Sequence, residues 1–122
     1  MRRIRMDLAR AYDPPHEGEG ARFLVDRVWP RGVSKEELCI EGWLRDVAPG
    51  KVLRQWFGHD PSRWDEFVKR YRAELDANPA AWQPLAEAAK RGPVTLVYGA
   101  RDREHNQAVV LRDYLTEKLP HA

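Results

Sequence analysis

Two arginines, an aspartate and a tryptophan crowd the run Val25-Asp26-Arg27-Val28-Trp29-Pro30-Arg31-Gly32, where an apolar strand pattern passes directly into charge. A planar guanidinium suits two-point recognition of a carboxylate or phosphate, so Asp26, Arg27, Trp29 and Arg31 read as ligand-binding residues. A second group, Arg101-Asp102 with His105-Asn106, follows the apolar run Val94-Thr95-Leu96-Val97-Tyr98. Arg27, Arg31, Lys35 and Arg101 could together form an anion pocket, with Asn106 as a polar partner and Trp29 as an apolar or stacking wall. The same charges could instead satisfy one another, Asp26 with Arg27 and Asp102 or Glu104 with the remaining bases, and merely close two strand ends.

For acid–base work the candidates are His59, Asp102 and His105, because imidazole titrates near neutral pH and a carboxylate can orient it. His59, Asp60, Asp102 and His105 supply metal-binding atom types, but their spacing fits no established ligand pattern and no metal is assigned. Neither Ser34 nor Ser62 lies in a nucleophile elbow, and no glycine-rich phosphate loop is present. No cofactor is assigned on these residues.

These groups must be carried by a chain of 122 residues with 43% hydrophobic and 33% charged positions, which is material for one core. Its 21 basic and 19 acidic residues leave a formal net charge of only +2, a weak global case for nucleic-acid binding. A local basic patch stays possible. No apolar run is long enough to span a bilayer, and Met1-Arg2-Arg3-Ile4-Arg5 lacks the apolar stretch of a secretory signal, so no membrane partner and a cytoplasmic location are expected. The single cysteine, Cys39, has no partner for a disulfide, a zinc ribbon or a redox pair, and reads as a small packing residue.

Ile4, Met6 and Leu8 alternate with Arg3, Arg5 and Asp7, the period of a half-buried strand near a sheet edge. Residues 13–20, with two prolines and two glycines, read as an exposed loop. Phe23-Leu24-Val25 and residues 94–98 are continuous apolar runs suited to central strands, the second and third in order. Ser34 with Glu37 resembles a capping box opening a helical turn, and Trp43, Leu44 and Val47 give a weak helical stripe ended by Pro49. A further helix runs from about residue 51 to Gly58. The clearest helix spans about 61–77, capped by Asp60, with Trp64, Phe67, Val68, Tyr71 and Leu75 on its apolar face. Another follows Asn78-Pro79, in which Pro84 is tolerable only in the first turn. The last carries Ala108, Leu111, Tyr114 and Leu115, with Asp102 as its cap and His105 and Asn106 in its first turn. Trp43, Trp56, Trp64 and Trp82 fall on apolar stripes and read as core.

Strands interleaved with helices imply an α/β fold: a mainly parallel central sheet of about three or four strands covered by helices. In such sheets ligands bind beyond the carboxyl ends of the strands, which picks out the ends of the second and third strands.

The motifs Asp26-Arg27-Val28-Trp29-Pro30-Arg31-Gly32, Leu53-Arg54-Gln55-Trp56-Phe57-Gly58-His59-Asp60 and Tyr98-Gly99-Ala100-Arg101-Asp102 with His105-Asn106 resemble the DUF488 family, in its YeaO-like branch. Tyr12-Asp13-Pro14-Pro15 and Trp43-Leu44-Arg45-Asp46-Val47-Ala48-Pro49 agree. The resemblance runs from about residue 4 to 119 and marks 1–122 as a single DUF488-like domain. It implies little about activity, since the family is named for having no assigned function. Gly50 and Gly99 depart from the Ser and Ala expected of the family, and Gly99 is expected to loosen the turn before Arg101.

Two functional classes follow. The first is a small α/β enzyme or binding domain for an anionic, phosphate- or nucleotide-like small molecule at the ends of the second and third strands. The second is a nucleic-acid-binding or regulatory interaction module without catalysis, using Arg2, Arg3, Arg5 and other surface bases.

Overall fold

The computed structural model describes residues 4–15 and 17–119; Arg2 and Arg3 lie outside the described residues. Four strands, β1 (Met6–Arg10), β2 (Ala21–Leu24), β3 (Gly42–Trp43) and β4 (Val94–Tyr98), form one sheet in the order β1-β4-β2-β3. Every pairing is parallel. The expected third strand is therefore β4, and β4 and β2 are central while β1 is an edge, as their apolar content requires. The fold is α/β.

Alternation of side chains across the strands builds two unequal layers. Met6, Phe23, Val94, Leu96 and Tyr98 face the main core, where α2 (Lys51–Phe57), α3 (Trp64–Ala77), α4 (Pro79–Arg91) and α5 (Gln107–Lys118) pack. Leu24 and Val97 face the other side, a small cluster with Ala11 and Leu38 to which Trp29 and Trp43 add partly buried rings. Among the described residues its one helix is α1 (Lys35–Leu38), opened by a complete capping box in which Ser34 Oγ accepts from Glu37 N–H and the Glu37 carboxylate accepts from Ser34 N–H. None of the described helices is long and apolar enough to cross a membrane.

Several local expectations are corrected. Trp43 belongs to β3 and is followed by a 3₁₀ turn, Arg45–Val47, so the weak helical stripe is a strand end and a turn. Trp82 is buried, whereas Trp43, Trp56 and Trp64 are only partly so. Pro84 lies beyond the first turn of α4, at its sixth residue; it and Ala80 are exposed, so the carbonyl that loses its donor is on the solvent side. Cys39 is exposed and caps α1 with a left-handed backbone, φ 55°, instead of packing inside.

The connection from β1 to β2 is not all exposed. Glu19 and Arg22 are buried and paired at 2.6 Å, and the same guanidinium donates twice to the Leu38 carbonyl. This ties the loop, β2 and α1 together on the thin side of the sheet. Gly20, at φ +69°, admits no side chain because a Cβ would collide with the Pro93 carbonyl.

Candidate functional site

Leu24 pairs with Val97, so two further residues bring Asp26 level with Gly99 beyond the carboxyl ends of β2 and β4. Asp26 Oδ2 accepts the Gly99 N–H at 2.8 Å, and Oδ1 accepts the side-chain amide of Gln107 at the start of α5. One carboxylate therefore joins both central strands to the last helix. Burial pushes the Asp26 carboxyl above its ordinary value of 3.8, against the opposing pull of the Gly99 N–H, the Gln107 amide and the nearby His59.

Gly99 is tight, not loose. A Cβ there would stand 3.0 Å from Asp26 Oδ2, closer than ordinary packing allows. Arg10 at the end of β1 also donates to the carbonyls of Gly99 and Ala100, at 3.4 and 2.8 Å, which fixes the exit of β4.

Beside Asp26 opens a cavity of about 290 Å³ whose polar walls are Asp26, Arg27, Arg54 and His59, with Gly99, Ala100 and Gln107 behind them. Arg27 donates from Nη2 to the Ala48 carbonyl at 3.3 Å. Its Nε, and that of Arg54, are buried and have no hydrogen-bond partner among the described residues. A buried guanidinium N–H without an acceptor is costly, and an anionic oxygen is its natural partner. His59 sits after the left-handed Gly58 that closes α2 and itself holds φ 59°. The strained residue thus lies at the cavity wall.

Against a second, adjoining cavity of about 200 Å³ stand His59, His105 and Asn106. His105 Nδ1 lies 2.9 Å from Asp102 Oδ2, and Asp102 Oδ1 also accepts the N–H groups of Glu104 and His105. Those bonds hold the Asp102 carboxyl below its ordinary range. Asp102 therefore organises the turn before α5 and does not cap the helix. The cap is Asn106, whose Oδ1 accepts from Val109 N–H and whose amide donates to the Asp102 carbonyl, so its polar atoms are committed.

The proposed four-base pocket does not assemble as expected. Arg27 is in the cavity, but Arg31, Lys35 and Arg101 are exposed and do not line it. The Arg31 carbonyl accepts from Tyr12 Oη at 3.1 Å, and Lys35 begins α1 on the thin side of the sheet. Trp29 is no wall of this cavity either: its Nε1 donates to the Val33 carbonyl at 2.6 Å and its ring meets Trp43 edge-on. The pocket's second guanidinium is Arg54, which follows Leu53 on α2 and looks in sequence like a surface base. Its advance signals are the Leu53-to-Asp60 motif that carries the family resemblance and its position between Gly50 and Gly58, which cap a helix ending beside His59. Among the described residues no three of His, Cys, Asp and Glu converge as metal ligands.

Residues 5–122 match a family model described as the inactive DUF488-N3 subclade. The chain belongs to the DUF488 family. Among similar proteins, "Uncharacterized protein YeaO" of Escherichia coli K12 is 39% identical over 106 residues, covering 87% of this chain and 92% of the relative. "Uncharacterized protein Rv3073c" of Mycobacterium tuberculosis H37Rv is 40% identical over 115 residues, 94% of this chain and 97% of its own length. No solved structure matches this DUF488 chain.

Proposed function

We propose that the whole chain is one binding domain for a small anionic molecule, held at the ends of β2 and β4 by Arg27 and Arg54. The observation that carries this reading is that Arg27 and Arg54 line one cavity beside Asp26 and that the buried Nε–H of each has no partner among the described residues. Two guanidinium groups against one carboxylate leave the cavity net positive, a charge complement for an anion. Asp26 serves as a positioning residue, because both of its oxygens already bind Gly99 and Gln107. The subclade's description as inactive favours binding over turnover, and His59, Asp102 and His105 then act as wall and turn residues in place of acid–base catalysts. We place the protein in the cytoplasm, where the exposed thiol of Cys39 would stay reduced.

The test is thermal unfolding with increasing sulfate or inorganic phosphate, compared with chloride at equal ionic strength. A ligand that binds only the native state raises the midpoint with concentration. The expected result is a saturable rise for the wild type that Arg27→Gln and Arg54→Gln each abolish. An equal response in all three proteins, or none in the wild type, overturns the reading.

A further inference from the structure

The cavity between Arg27 and Arg54 does not stand alone. The adjoining chamber of about 200 Å³ shares Pro49, Arg54, His59 and Gln107 with it as common walls. We propose that the anion bound here carries an aromatic ring, with its charged head between Arg27 and Arg54 and its ring in this second chamber. The inference rests on the anion-binding reading and adds to it the chemical class of the ligand.

The lining supports a ring over a polar tail. Phe57 and Phe67 reach the chamber as a stacked pair, centroids 4.3 Å apart and planes at 22°, and Pro49 adds a further apolar surface. Three of the six polar neighbours are committed: Asn106 caps α5, the Gln107 amide serves Asp26, and His105 is held through Nδ1 by Asp102. The His105 ring also meets Trp64 edge-on, at 5.2 Å and 84°, so its orientation is set from two sides. Aromatic edges and faces favour a flat apolar group, and ligand pockets typically combine such a lining with a few polar anchors. Arg54 is common to both spaces, the residue at which head and ring would join.

Methyl phosphate and phenyl phosphate share a head and differ in the ring, and calorimetric titration of both into the full chain tests the assignment. Phenyl phosphate is expected to bind at least about tenfold tighter, the effect of burying most of one ring. Gln55 lies exposed on α2 at the chamber wall, so Gln55→Trp is expected to fill the chamber, remove the phenyl advantage and leave methyl phosphate binding unchanged. In the wild type, nuclear Overhauser contacts should join the phenyl protons to Phe57 and Phe67, a readout independent of any variant's folding. Equal affinity for the two phosphates, with both lost in Arg54→Gln, overturns the ring while leaving the anion reading intact. Binding of neither overturns both. A phenyl advantage that survives in folded Gln55→Trp, without contacts to Phe57 and Phe67, overturns the placement of the ring in this chamber.

Discussion

Asp26 and Gly99 are 73 residues apart in the chain and joined by a 2.8 Å hydrogen bond from the glycine N–H to the aspartate carboxylate. The bond locks the ends of the two central strands to each other. It also sets the back of the cavity, since both residues line it. Because a Cβ on residue 99 would come within 3.0 Å of the same carboxylate oxygen, Gly99→Ala must displace one or the other. It is expected to lower stability by about 1–2 kcal/mol and to weaken sulfate binding. Urea unfolding with and without sulfate checks both, and a stability and sulfate response matching the wild type would show that the contact yields freely.

Burial raises the Asp26 pKa, and this fixes a pH dependence opposite to that of most paired carboxylates. A carboxyl whose native pKa lies above its unfolded value holds its proton better in the folded state. Its contribution to stability is fully present below the unfolded value, near 3.8, and is lost as pH rises through the native pKa. Asp26→Asn cannot ionise and, with the Gln107 amide turned over, can still bond both partners. Urea midpoints of the two proteins should draw together toward pH 4 and separate toward neutrality, the variant becoming relatively more stable. Parallel profiles would sink the assignment.

Glu19 and Arg22 pose a sharper energetic test, because both are buried. Removing Glu19 strands the buried guanidinium, at a cost of about 3–5 kcal/mol, whereas replacing both with apolar residues can cost little. Glu19→Leu is expected to be severely destabilised and Glu19→Leu with Arg22→Met much less so, despite the lost bonds to Leu38. The coupling from a double-mutant cycle in urea decides it, and simple additivity would show that the two side chains act independently.

His59 occupies a left-handed backbone at φ 59° that a glycine adopts without strain. His59→Gly is therefore expected to leave stability unchanged or raise it by about 1 kcal/mol. If the imidazole contributes to the site, the same variant binds sulfate more weakly, a trade of affinity for stability. Calorimetric unfolding alongside titration separates the two effects; a loss of more than about 1 kcal/mol would assign His59 a packing role through Phe57.

Strong periodicity made the architecture legible. The continuous apolar runs at Phe23 and Val94 mark central strands, the alternating pattern at Met6 marks an edge, and the stripes of α3 and α4 mark the main layer. Short elements escaped: two residues of β3 carry no period, so Trp43 passed for part of a helix. At the site, Asp26 and Arg27 were legible because charge follows an apolar strand. Arg31 and Arg101 share that chemistry but point elsewhere, because the direction of a loop side chain is set by turn geometry and not by residue type. Arg54 was hidden for the complementary reason. On a short helix an arginine beside the apolar stripe reads as solvated, and only the folded placement of α2, packed on α3 beside the cavity, buries its Nε.

The unequal edges of the sheet carry a consequence for how the protein behaves in a crowd. An open strand edge is a template on which another chain can add itself. At one end of this sheet the template is β3, two residues long, with too few free backbone groups to hold a newcomer in register. At the other end is β1, where Asp7 and Arg10 interrupt the apolar positions and Arg5, just before the strand, is paired with Asp7 in the exposed layer. A small chain with two parallel strands at its centre thus guards itself against fibrillar growth by brevity on one flank and by charge on the other.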